Sequence, residues 1–294
     1  MTTIITAFTA GLEAIAATNQ DNDFILFAIP PLVANTAASS SKPGADNTGF
    51  KMNANVQTIN QSVVISEPNA ELKDRDINGC VSVAADNVRI RNVRINCAGF
   101  YGIKANSGHS NLLIEDVEIF GMQSAGILGS DFTLRRANIH DSGADAIKPG
   151  SNVIIEASWL HRLGSKAGSH SDGVQMVSGN NVTIRGNNID MPHDLSGFTN
   201  SQCMIIQTNN GPIDSILIED NWLNGGGYCV QINDKGTGFG PPTNVQIIGN
   251  KFGKDCQFGI LRFGGSSPVL RDNIYEFNKA PIGSDFTLCG DEHN

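Results

Sequence analysis

Asn181-Val182-Thr183-Ile184-Arg185-Gly186-Asn187-Asn188-Ile189-Asp190 is the stretch whose reading decides the fold. Apolar residues stand at its second, fourth and ninth positions. The same ten-residue frame fits the segments that begin at Asn69, Asn87, Asn111, Asp131, Asn152, Ser215, Asn244 and, loosely, Ser267, at intervals of 18 to 34 residues. Self-similarity at such intervals is the signature of a solenoid, in which each repeat buries its apolar face against its neighbours.

The alternation at positions 2 and 4 (Val88/Ile90, Leu112/Ile114, Val153/Ile155, Ile216/Ile218) reads as a strand with one buried face. Position 9 is apolar again (Ile95, Ile119, Ile139, Leu160, Ile189, Leu223, Phe252), so the chain must bend between positions 4 and 9. Asn at position 7 in the later copies (Asn187, Asn221, Asn250, Asn273) predicts that these residues make the bend, because Asn tolerates the left-handed conformation. Stacked copies of them can hydrogen-bond as a ladder. A second apolar stretch lies between copies, as in Ala146-Ile147-Lys148, Gly173-Val174-Gln175-Met176 and Cys229-Val230-Gln231-Ile232. Three short parallel strands per turn make an all-β, single-chain right-handed parallel β-helix of about eight to nine turns.

Residues 44–294 are assigned to this coil. Residues 1–43 do not follow the repeat and are read as a cap or attachment segment. Within them, the Ala-rich residues 9–18 predict a short amphipathic helix covering an end of the coil. Residues 34–44 read as a linker or surface strap.

Composition narrows the function. The chain has 294 residues, 40% hydrophobic content, 32 Gly and a formal net charge of −9. It has no Lys/Arg-rich run, which argues against a nucleic-acid partner. No apolar run is long enough for a membrane span, and no signal peptide is visible. The expected location is extracellular, or the surface of a virus particle, as a monomer or, in the viral case, a trimer. The six cysteines form no CxxC pair. Cys203 and Cys229 occupy equivalent positions of neighbouring repeats and read as stacked buried thiols. Pairing of Cys80 with Cys97, and of Cys256 with Cys289, is left open by spacing.

Function is expected where the repeat is interrupted. The longest connections follow His161, Asp190 and Asn224, and long loops on one side of a solenoid commonly build its binding face. His140, His161, Asp190 and Asn224 share position 10, which predicts a column that is either a polar ladder or a metal or catalytic cluster. Asp145-Ala146-Ile147-Lys148 superposes on Asp172-Gly173-Val174-Gln175, so Asp145 lies beside Asp172 and Lys148 beside Gln175. Lys148 and Gln175 are expected to point outward.

The chain resembles the pectate-lyase-like right-handed β-helix superfamily. The resemblance rests on the Asn47-Thr48-Gly49 entry, the Asn-Val-Thr-Ile-Arg repeat and the His170-Ser171-Asp172-Gly173-Val174 turn, and it covers about residues 44–285. It implies an extended polysaccharide lying on the outer face of the first sheet, with small residues at 146 and 173 letting a sugar approach the backbone. Met191-Pro192-His193-Asp194 partly resembles the Asp-Pro-His-Asp motif of alginate epimerases, with Met in place of the first Asp. The Gly-His-Gly and Arg-Ile-Lys elements of polygalacturonases are absent.

β-Elimination from a uronate needs a base at C5, a cation to neutralise the carboxylate and an acid for the leaving oxygen. Lys148 or His170 is expected as base, with Arg162 and His161 as carboxylate or leaving-group partners. Asp145 and Asp172 would organise the site or hold Ca²⁺. Gln175, Lys166, His193, Asp194, Gln207 and Gln231 are expected to contact the substrate. The reading is therefore a polysaccharide lyase on an acidic glycan. The alternatives are a glycoside hydrolase using Asp172 with Asp145 or Asp194, and a non-catalytic glycan-binding or phage-tail module.

Overall fold

The computed structural model describes residues 41–283, 286 and 289, together with the backbone of two strands, Ile15–Thr18 and Phe24–Phe27. It divides into two units at Ser40/Ser41, three residues before the boundary expected from sequence. In the first unit, Ile15–Thr18 pairs antiparallel with Phe24–Phe27. This corrects the helix expected over residues 9–18 at its C-terminal end: a β-branched and aromatic partner segment (Phe-Ile-Leu-Phe) favours the strand. Residues 9–14 and 34–40 lie outside the described residues.

The second unit is a parallel β-helix. Nine strands, from Val63–Ile65 to Gly259–Gly264, stack in chain order as one parallel sheet, which sets nine turns. The ten-residue frames form the other wall. In the early turns they are single bent strands, Glu71–Asn78, Arg89–Asn96 and Leu112–Phe120; later ones break in two, as in Gly179–Arg185 and Asn188–Met191. Register keeps each frame position over its counterpart, for example Val153 over Phe132 and Val182 over Val153. The interior is a continuous apolar column in which Ile90, Ile114, Leu134, Ile155, Ile184, Ile218 and Ile247 are all at most 1% exposed.

The bend falls one residue earlier than the sequence suggested. Position 6 takes the left-handed conformation, with φ of 51° at Asn92, 50° at Arg136 and Ala157, 60° at Gly186 and 54° at Asp220. So does position 1, as at Asn87 (58°) and Asn181 (56°), which explains the recurrent Asn and Asp there. Position 7 points inward. Asn187, Asn221 and Asn250 are fully buried and Asn273 is 7% exposed. Each of the first three donates its side-chain N–H to the carbonyl of the next, at 3.0, 2.9 and 3.0 Å, and also to a main-chain carbonyl. The expected ladder is present, inside the coil at its corner. It satisfies main-chain groups that the bend removes from the sheet.

Residues 41–51 run along the outside as a strap. Lys42 pairs with Glu276 in the last turn (2.9 Å), and Pro43 accepts a hydrogen bond from the Asn188 side chain (2.9 Å). The Gly49 N–H donates to the Arg136 carbonyl (2.8 Å). Lys51 exchanges two hydrogen bonds with Asn92, and Arg94 covers the Phe50 ring. The chain thus crosses most of the coil before entering its first strand. Disulfides join Cys80 to Cys97 and Cys256 to Cys289, while Cys203 and Cys229 stay as buried thiols with their sulfurs 2.8 Å apart.

Candidate functional site

The nine-stranded sheet carries the candidate site on its outer face. Strands Asp145–Pro149 and Ser171–Met176 pair with Ile147 opposite Val174, so Asp145 and Asp172 sit side by side, as do Lys148 and Gln175. Ile147 and Val174 are wholly buried, and Lys148 and Gln175 point out as expected. Small residues at 146 and 173 have a different cause. A Cβ at Gly173 would lie 2.4 Å from the Ile189 side chain and 2.5 Å from the Cys203 carbonyl, so this column faces the interior. Gly173 is small because the core is tight there, which corrects the idea that it admits a sugar.

Five side chains form a connected chain. The Lys148 ammonium lies 2.7 Å from Asp145 Oδ2 and donates to Gln175 Oε1 at 2.8 Å. Gln175 Nε2 donates to Asp172 Oδ2 at 3.2 Å. His170 Nδ1 lies 3.4 Å from the same oxygen. The main-chain N–H of Asp172 donates to Asp145 Oδ1 at 2.8 Å, locking the two strands together. Both acids are out of water, Asp145 at 1% exposure and Asp172 at 0%.

Burial therefore dominates their chemistry. It pushes the Asp145 carboxyl up to about 6, helped by the nearby Asp172 charge and opposed by Lys148. It raises Asp172 as well, against the pull of His170, Gln175 and Lys148. Asp172 Oδ1 is buried with no hydrogen-bond partner, a position that a charged oxygen tolerates poorly. His170 is shifted the other way for a base: the Asp172 carboxylate holds its imidazolium above the ordinary histidine range, although partial burial opposes this. Lys148, Gln175 and His170 reach solvent, the Lys148 and His170 side chains at 26% and 60% exposure.

Two loops wall the site. Residues 162–170 and 192–199 are joined by a hydrogen bond between the Ser169 and Thr199 hydroxyls at 2.7 Å. The third long connection emerges elsewhere. After Asn224 only Gly225–Gly227 intervene before the strand Tyr228–Asn233, and the length lies in residues 234–242, beyond that strand. The Lys235 charge in it still opposes protonation of His170.

The remaining expected residues lie apart from this chain of contacts. His161 stacks on Trp159 at 3.6 Å between ring centres, and its Nε2 meets Asn138 Oδ1 at 2.9 Å. Burial, with repulsion from His140 and Arg162, lowers its pKa to about 3, so it is neutral. Arg162 pairs with Asp141 at 2.9 Å and covers the Phe198 ring. Position 10 is a polar ladder: His140 and His161 rings are 5.2 Å apart, and Asn224 donates to Asp190 at 2.8 Å. Lys166 sits in the first loop, where its carbonyl accepts the Ser169 N–H. His193 and the 99% exposed Asp194 sit in the second. Gln207 is buried beside Asn233, and Gln231 is half-buried in the outward column between Ile205 and Arg262.

Ca²⁺ takes six to eight oxygen ligands. No group of three or more His, Cys, Asp or Glu among the described residues converges as a ligand set. Asp145 directs one oxygen to an ammonium and the other to an N–H, so the local donors fit Lys148 rather than a metal ion.

A family model described as the right-handed β-helix region matches residues 78–287. The chain belongs to the right-handed β-helix family. Among solved structures it is similar to the A-module of the mannuronan C-5 epimerase AlgE4 from Azotobacter vinelandii, with 15% identity and a TM-score of 0.55. That match covers 75% of this chain and 64% of the module. It is also similar to an alginate lyase from Paenibacillus sp. strain FPU-7, with 16% identity, a TM-score of 0.43 and coverage of 71% and 75%. The first of these likenesses shows the fold. No curated protein sequence matches the chain.

Proposed function

We propose that this right-handed β-helix protein is a polysaccharide-active enzyme that cleaves an acidic, uronate-containing glycan by β-elimination. The observation that carries the reading is the pair Lys148 and His170, two solvent-reaching bases or cations on one sheet face, each backed by a buried carboxyl. Held in its ion pair, Lys148 faces the uronate carboxylate and stabilises the negative charge that grows there as C5 loses its proton. His170, made more basic by Asp172, takes that proton in its neutral form. The electron pair forms the C4–C5 double bond, the C4–O bond breaks, the leaving oxygen takes a proton from solvent, and the His170 imidazolium returns its proton to solvent. The named substrate of the similar epimerase module, mannuronan, is itself a uronate polymer, which supports the substrate class. A polymer of this kind is met outside the cell.

The hydrolase alternative has weaker support. Hydrolysis needs two carboxyls that reach the sugar, whereas Asp145 and Asp172 are at most 1% exposed. The test is digestion of a panel of acidic and neutral glycans, with and without chelator. Ultraviolet absorbance of unsaturated uronate ends, lost by about 100-fold or more in Lys148→Ala and His170→Ala, is the expected result. Full activity in both variants overturns the assignment. New ends without that absorbance favour hydrolysis, and binding without products favours a glycan-binding module.

A further inference from the structure

We infer that the same sheet face carries two aromatic platforms, one at each end of the site, that hold an acidic oligosaccharide along the axis of the coil; the glycan class rests on the reading above. The column that contains Asp145 and Asp172 runs Tyr101, Ala125, Asp145, Asp172, Gln202, Tyr228 through consecutive turns. Its acids stand at the centre, and a tyrosine lies two turns away on either side. The residue preceding each tyrosine's own strand position, or its successor's, repeats the pattern. Phe100 precedes Tyr101, and Phe258 follows Tyr228 by one turn, its N–H bonded to the Gly227 carbonyl.

Both phenylalanines are open to water, at 60% and 54% exposure, in a protein whose other large apolar residues are mostly interior. Each packs against its tyrosine, Phe100 on Tyr101 at 5.3 Å and Phe258 on Tyr228 at 5.8 Å between ring centres. Between them the residues that precede the column positions are Ser124, Ala144, Ser171, Ser201 and Gly227, with a bulge at Ser171/Asp172 that pairs Ser171 with Asn200. Over Ser171 the two joined loops come down, through Ser169 and Thr199. The aromatic pairs thus lie just beyond the walled centre, one towards each end of the coil.

Charge identifies the occupant. The outward column of the same sheet presents Lys104, Lys148 and Arg262 among uncharged residues, against a net charge of −9 for the chain. Arg262 lies over the Tyr228 ring at 5.4 Å, so one platform offers an apolar ring face and a guanidinium together. A pyranose ring with a carboxylate presents the matching apolar face and anion. Six strand steps separate Phe100 from Phe258, about 29 Å at the usual strand spacing. An extended pyranose polymer advances by close to one strand spacing per unit, so a chain lying along the axis places about one sugar over each turn.

The experiment is calorimetric titration of the full chain with acidic oligosaccharides of graded length, using Phe100→Ala, Phe258→Ala, the double variant and Phe277→Ala as an off-face control. Phe277 is 46% exposed. Affinity is expected to rise with length until both platforms are reached. Each face variant should then lose about five-fold on long oligomers and nothing on trimers, with the control unchanged. Long-oligomer affinity unchanged in the double variant overturns the platforms while leaving elimination at the centre intact. Length- and Phe-dependent binding without any cleavage supports the platforms and removes the lyase reading. No binding by any acidic oligomer overturns both.

Discussion

Asp145 and Lys148 form an ion pair of 2.7 Å in which the acid is 1% exposed and the ammonium stays open to the outer face of the sheet. The pair joins the buried edge of one strand to the outer face of the sheet, and the same carboxylate accepts the Asp172 N–H. Asp145 has a raised folded-state pKa of about 6, above its ordinary 3.8. The stability linked to it is therefore complete below the unfolded value and is lost as pH rises through the folded one.

Lys148→Met should accordingly cost little near pH 5, where Asp145 can take a proton. The cost should grow to about 2 kcal/mol near pH 7.5, where a buried carboxylate is left without its partner. Thermal melts at the two pH values check this. Lys148→Met with Asp145→Asn should recover most of the loss at the higher pH. Equal destabilisation at both pH values would show that the ion pair is not its source.

His170 owes its raised pKa first to Asp172. If neutral His170 is the base, the acid limb of kcat/KM lies above the ordinary histidine value. Asp172→Asn removes the anion and should move that limb to lower pH, with a weaker base and about a ten-fold lower plateau. A pH profile on the glycan that the panel identifies is the measurement. A limb that stays in place in Asp172→Asn would detach His170 from it.

The repeat was legible because its signal is redundant: Ile184 predicts its own burial, and Ile155 and Ile218 repeat the statement one turn away on either side. The pairing of Asp145 with Asp172 followed from the same alignment. What sequence could not supply was depth. Arg162 and His161 are close to the site in sequence, but stacking on Trp159 turns His161 away into the position-10 ladder, and Asp141 holds Arg162. Gly173 looked like an opening for sugar and is a packing requirement under Ile189. The bend was misplaced by one residue because Asn suits both a left-handed turn and a buried ladder; the clue was position 6, where Gly186 and Gly249 alternate with Asp220 and Asp272. Tyr101 and Tyr228 give no such signal in the sequence, because an aromatic residue on a strand carries no sign of which face is wet.

The Asn ladder makes a stability prediction that is separate from catalysis. Asn221 is fully buried, donates to Asn250 and to the Ile184 carbonyl, and accepts from Asn187. Asn221→Ala strands several main-chain and side-chain groups and should cost about 3 kcal/mol. Asn273, at the end of the row and 7% exposed, should cost about half as much. Denaturation midpoints of the two variants give the comparison. Equal losses would mean that the bonds act singly and that the interior position adds nothing.

His161 is expected to contribute to the acid sensitivity of the fold. Its folded-state pKa is lowered from 6.5 to about 3 by burial, with His140 and Arg162 adding repulsion. A depressed value means that stability is present above the unfolded pKa and is lost as pH falls towards the folded one. Over that window each pH unit removes up to about 1.4 kcal/mol. His161→Phe keeps a ring against Trp159 and removes the titration, though it frees Asn138 Oδ1 from its partner. The variant should melt slightly lower than the native protein near neutrality and above it near pH 4, so the two stability curves cross. Melting temperatures measured across that range decide the matter, and parallel curves would exclude His161 as the acid-sensitive group.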